Sequence, residues 1–232
     1  MLKTLAWVGG ILLIGLMLVA FLFPGQRRSR AAALRVMCKN NLNQIGIALD
    51  NYRVDHWTFP PAYTVDAEGK KLHSWRTLIL PYMDQKALYD KIDLSKPWND
   101  PVNAAARKTP LTCYACPSST ASPNLTSYVA MVGDDFAFPP KGPRRMNEFV
   151  DGLNETVLVM EIPAQDAFEW MEPRDGDEAT FMAFSPESKK SHRSGIQVIL
   201  GNGTPMFLSD SLPAEKRRAL LTVSAKDDVG EF

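Results

Sequence analysis

Three cysteines, three histidines and one acidic run are the groups in this 232-residue chain with chemistry to offer. Cys113 and Cys116 make a Cys-x-x-Cys pair, the spacing of a redox centre or half a zinc site. A thioredoxin-like motif follows a strand and opens a helix, whereas Cys116 runs into Pro117 in a loop, and no second Cys pair completes a zinc site. His56, His73 and His192 lack the helical i, i+4 spacing of a metal pair, so they read as two loop histidines and one hydrogen-bond donor at a strand end. Glu172, Asp175, Asp177 and Glu178 surround Gly176 and put hard oxygen ligands on a turn. Calcium is the one cofactor this leaves open, against a solvated acidic loop, because the EF-hand spacing is missing.

Trp57, Trp75, Trp98 and Trp170, with the six tyrosines, could form a sugar-stacking surface, although Trp75 and Trp98 look more like core or helix-docking residues. The chain has no Gly-x-Ser-x-Gly elbow, no phosphate-cradling glycine loop and no recognisable carboxylate pair, so no catalytic residue is assigned and no enzyme activity is expected. Basic and acidic residues both number 26, which leaves no global field to draw in nucleic acid.

The elements that must position these residues begin with an anchor. Leu5 to Phe23 carry no charge and, at about 1.5 Å per residue, span roughly 28 Å, the thickness of a bilayer core. A retained transmembrane helix fits better than a cleaved signal, because the apolar run is too long and the Ala31–Ala33 site lies beyond Arg27, Arg28 and Arg30. The arginines after the span favour a cytoplasmic domain by charge alone, whereas long domains cross largely regardless of charge.

Pro24 and Gly25 should bend or interrupt the helix at the membrane edge. Beyond them Leu34, Cys38, Leu42, Ile45, Leu49 and Tyr52 share one face, and Arg35, Lys39, Asn40, Asn43, Asp50 and Arg53 fall opposite. That amphipathic helix should stop before Phe59, Pro60 and Pro61. Short helices follow from Ser74, from Asp84 to Ile92 and from Asn103 to Arg107. From Cys113 onward the period changes. Ser127–Val132, Thr156–Ile162, Ile196–Leu200 and Thr204–Leu208 read as strands, the last two joined through Gly201-Asn202-Gly203, and Pro213–Val223 as a final helix. The expected domains are 1–25 as anchor, 26–54 as amphipathic stem and 55–232 as an α+β domain that packs with the stem.

CKNNLNQIGIALDNY (38–52), FPPAY (59–63), HSWRTLILPYMDQKALYD (73–90), PWNDPVN (97–103), TSYVAMVG (126–133) and DGLNETVLVMEI (151–162) resemble, in order, a planctomycete pseudopilin-like family. That family carries a prepilin-type N-terminal helix and a domain of unknown function ending in a His, nine residues, Asp-Gly motif. Here the motif is His192, Asn202 and Gly203, with Asn serving the turn as Asp would. Aligned on Pro24, Leu2 and Trp7 stand where the family has the Gly and Glu of its peptidase site, so processing is not expected.

The resemblance implies a pilin-like long helix on a mainly antiparallel sheet, exported from a cell envelope's inner membrane. It implies a structural or interaction protein that meets the lipid bilayer through Leu5–Phe23 and other envelope proteins or polymers through its domain. The alternative is an extracytoplasmic solute- or glycan-binding protein. In an oxidising envelope a structural disulfide should join Cys38 to Cys116, with Cys113 the odd thiol or alternative partner. Closing that loop could contribute about 4 kcal/mol in the entropy model.

Overall fold

The computed structural model describes residues 2–225, with side chains followed continuously from Ser29. The first helix, α1, is Leu2–His56. It is not interrupted at Pro24 and Gly25, where an interruption was expected; one proline removes one backbone hydrogen bond, a loss a long helix can absorb within a turn. Among the described residues no helix is long and apolar enough to cross a membrane, and most side chains of Leu5–Phe23, where the span is expected, lie outside those described.

The stem half of α1 follows its sequence pattern. Cys38, Leu42, Ile45, Ala48 and Leu49 are buried, whereas Lys39, Asn40, Asn43 and Gln44 face out. Arg35 departs from the expected polar face, stacking its guanidinium 3.2 Å from the Phe207 ring centroid. Beyond α1 a short antiparallel pair, β1 (Tyr63–Val65) and β2 (Lys71–Ser74), leads into α2 (Trp75–Leu78). A 3-10 turn over Leu80–Met83 holds Pro81 and separates α2 from α3 (Lys86–Tyr89). Asp100 then accepts from the Val102 amide to open the turn before α4 (Ala104–Arg107).

The sheet follows. β3 (Leu125–Thr126) is a short strand that pairs with β6 (Phe168–Glu169), and neither is a run long enough to show a period. The main sheet is antiparallel, in the order β4 (Tyr128–Ala130), β5 (Val157–Glu161), β7 (Gly195–Leu200), β8 (Pro205–Ser209). Between its strands lies α5 (Glu178–Met182), and α6 (Ala214–Ala219) follows β8. The result is the α+β arrangement expected from the sequence.

Both faces of the sheet are covered. Tyr128, Ala130, Val159 and Ile199 pack with the stem helix, Trp75, Tyr114 and Trp170, while Val129, Met160, Ile196 and Val198 pack with Phe181, Phe184 and Leu220. Alternation along a strand produces this split, and an irregularity between Val157 and Val159 resets it within β5. After the reset Glu161 shares the stem-facing side with Val159. Register then puts Tyr128 opposite Glu161 and Met160 opposite Val198, so Tyr128, Glu161 and Gln197 lie in a row across three strands.

Candidate functional site

Where that row meets the stem, four residues from four segments converge. Cys38 comes from α1, Cys116 from the turn after a 3-10 segment at Thr112–Tyr114, Glu161 from the end of β5, and His192 from the turn into β7. One ligand-type atom from each lies within 4.8 Å of the other three, and all four residues are buried. The Cys116 sulfur is 3.5 Å from His192 Nε2, which is 3.4 Å from Glu161 Oε2. Glu161 Oε1 is 3.7 Å from the Cys38 sulfur. Tyr128 puts its hydroxyl 3.0 Å from Cys38 Sγ, and the Gln197 amide donates to Glu161 Oε2 across 3.4 Å.

Local structure fixes each member. Asn41, one turn along α1 from Cys38, donates from Nδ2 to the carbonyls of Thr112 and Ala115, both at 3.0 Å, and so clamps the Cys116 turn onto the stem. Ser194, at φ 68°, turns the chain so that His192 bridges to Gly195 and its ring meets the cluster. At the far end of β7, Gly203 adopts φ 79° and its carbonyl abuts the stem at Gly46, where a Cβ would lie 2.2 Å from the Gly203 oxygen. Asn202 holds that tip by bonding Asn154 Oδ1 at 2.8 Å and accepting from the Thr204 amide. The nine-residue spacer between His192 and Asn202 is thus one strand and its flanks, and both ends of it touch the same helix.

The electrostatics are those of a shared proton set. The Cys38 thiol lies against Cys116 and holds it down, to about 4, with His192 and Glu161 adding to the effect against burial. Cys38 moves the opposite way, first through that same contact and then through burial and the charge of Glu161. Burial, then the Cys116 charge, pushes Glu161 well above the usual carboxylate range. No Lys or Arg is paired with Glu161 among the described residues.

The residues singled out by type and spacing meet different fates in the fold. Cys38 and Cys116, the pair expected to form a disulfide, are together, with both thiols free; Cys113 is half-buried outside the cluster. Of the histidines, His73 fits the expected strand-end donor and His192 a turn position, while His56 lies on a helix and not in a loop. His56 closes α1 and stacks on Tyr52 at 4.1 Å; His73 is buried in β2 with Nε2 donating to the Lys96 carbonyl at 2.8 Å, its pKa lowered by burial. His192 joins the cluster, a role that its isolation in sequence conceals.

The calcium candidates do not assemble. Asp175 turns inward, its side chain 4 % exposed, and Oδ1 accepts from Arg76, Trp75 Nε1 and the Ala130 amide, each at 2.9 Å. Asp177 caps α5 through Thr180, and Glu178 pairs with Arg218 at 2.6 Å. Glu172 contributes its carbonyl, not its carboxylate, to the Arg76 guanidinium. An oxygen cage needs these carboxylates to converge, and the inward pull of Arg76 separates them. The aromatic surface does not form either: Trp75 and Trp170 are fully buried and Trp57 is exposed.

Residues 27–135 match a family model described as a protein of unknown function, DUF1559. No curated protein and no solved structure matches the chain.

Proposed function

We propose that the chain is a membrane-anchored, pseudopilin-like envelope protein whose work is structural or interactive rather than catalytic. The observation that carries this is the double use of α1. Its second half is part of the domain core, through Leu42, Ile45 and Leu49, while its first half bears the uncharged run Leu5–Phe23. A helix shared in this way ties the domain rigidly to whatever holds the anchor, with no linker between them. In this reading the inner membrane is the anchor's site, the domain is exported, and its partners are envelope proteins or polymers.

A solute-binding role has one observation in its favour. A cavity of about 450 Å³ opens between β5 and the α5 segment, lined by Glu161, Phe168, Arg174, Phe184 and Lys189, a size suited to a small ligand.

A reporter active only outside the cytoplasm, fused after Phe232, tests the first reading together with the mass of the purified membrane protein. An active reporter on a full-length chain is the expected result; an inactive reporter, or a chain recovered without membranes, overturns it. Thermal stabilisation by one class of solute, growing with excess over its dissociation constant, would move the assignment to the binder.

A further inference from the structure

We propose that Cys38, Cys116, Glu161 and His192 hold one divalent cation of the zinc class, which fastens the stem helix to the sheet. Separation is the first argument. His192 Nε2 stands 3.4 Å from Glu161 Oε2, long for a direct bond between such groups, while the sulfur contacts of 3.5 and 3.7 Å are ordinary for sulfur. A charge-assisted N–H to carboxylate contact settles at about 2.7–2.9 Å. Metal–ligand bonds of about 2.0–2.3 Å place neighbouring ligands of a tetrahedral centre about 3.3–3.8 Å apart. Three of the six separations fall in that range, and all lie within 4.8 Å, so a small closing movement would bring the four groups onto one tetrahedral ion.

Donor chemistry is the second argument. Two sulfurs and an imidazole select a borderline-soft ion and disfavour calcium or magnesium, and a carboxylate completes the set. Four protein ligands close the coordination sphere, which marks a structural centre rather than one that activates water. The surroundings suit a thiolate ligand: the Tyr128 hydroxyl, 3.0 Å from Cys38 Sγ, is placed to donate to it. A cation there would neutralise thiolate and carboxylate ligands buried at a place where Glu161 has no Lys or Arg partner among the described residues. His192 lines a cleft of about 700 Å³ beside Arg35, Ser118 and Phe207, which gives an ion a way in.

The site also accounts for the spacing between His192 and Asn202. A metal at His192 and the close approach of Gly203 to Gly46 would hold the two ends of β7 to the stem. The same two cysteines cannot both ligate a metal and form a disulfide, so the states exclude each other.

The test uses the full chain, purified in detergent without chelators or added thiols, with metal content read by elemental mass spectrometry. One zinc per chain is expected, retained by Cys113→Ser and lost by Cys38→Ser and His192→Ala. Because those two variants can fail to fold, the wild-type chain is also stripped and loaded with cobalt alone, where a thiolate-to-cobalt charge-transfer band and intense visible bands of a tetrahedral ion are expected. Tyr128→Phe, which keeps all four ligands, should keep the stoichiometry and weaken affinity roughly tenfold. Absence of zinc and of cobalt binding by the reduced chain, or a Cys38–Cys116 disulfide recovered in full by non-reducing peptide mapping, overturns the proposal. So does cobalt bound without the thiolate band.

Discussion

Arg76 and Glu161 are both charged residues buried in the same domain, and their surroundings could hardly differ more. The Arg76 side chain is wholly enclosed, and its guanidinium donates to Trp170 O, Tyr128 O, Asp175 Oδ1, Glu172 O and Arg174 O at 2.8–3.1 Å. Five N–H donors meet five acceptors, so every donor of the guanidinium is used, and only Asp175 Oδ2 at its edge has no partner. Glu161 has no such set. Its neighbours are two sulfurs, an imidazole and one long amide contact, and the sulfurs and imidazole become better ligands when they lose a proton. A buried polar group with every valence matched belongs to the architecture; one surrounded by electron-pair donors is waiting for a cation.

The largest effect that can test this contrast is at Arg76. Arg76→Met removes the cation and leaves Asp175 and four carbonyls buried without it, at an expected cost of about 3–5 kcal/mol in urea unfolding. The loss should be the same with zinc or with a chelator present, since no metal enters that network. A chelator-dependent loss would mean that the two clusters act as one.

The cluster should answer in the opposite manner. Zinc at a hundred times its dissociation constant should raise wild-type stability by about 2.7 kcal/mol, and a chelator should remove the gain. His192→Ala should melt at the same temperature in both conditions. A His192→Ala chain that still gains stability from zinc would place the metal elsewhere.

How much of this is visible in the sequence depends on whether a signal is local. The stem face and the β7–β8 hairpin come from short-range period and turn chemistry, and the structure has them where that pattern puts them. The β1–β2 and β3–β6 pairs escape such a reading because strands of two to four residues show no period. The cluster is invisible for a different reason. Its ligands come one from each segment, so spacing rules for metal sites have nothing to match, and only strand register sets Glu161 beside Tyr128. The acidic run misleads in the converse way: neighbours in sequence, its carboxylates face three different partners, because Arg76 claims Asp175 from a distant helix.

A smaller effect asks whether the stem is pinned twice. Gly46→Ala places a methyl group against the Gly203 carbonyl, and backbone on both sides leaves little room to yield. Overpacking should cost roughly 1–3 kcal/mol. Alanine's helix propensity would return about 1 kcal/mol of it. A net loss that persists in the metal-free chain would show a second attachment independent of the cluster; a net gain would show that the hairpin tip can simply move away.

The smallest effect separates a cap from a ligand at Asp177. Its Oδ1 accepts from the Thr180 hydroxyl at 2.7 Å and the Thr180 amide at 2.8 Å, and these two bonds hold its pKa below the ordinary 3.8. A carboxyl lowered in the folded state adds stability that is present above the unfolded value and disappears as pH falls through the folded one, so the effect is confined to pH below about 4. Asp177→Ala should cost about 1 kcal/mol at neutral pH through loss of the α5 cap. Asp177→Asn should keep the cap and lose only the acid dependence, because an amide oxygen accepts the same bonds without titrating. Thermal melts with and without calcium decide between the roles: equal melting temperatures across wild type and Asp177→Asn leave the residue a cap, whereas a calcium gain confined to wild type would restore the acidic loop as a cation site beside the sulfur-rich one.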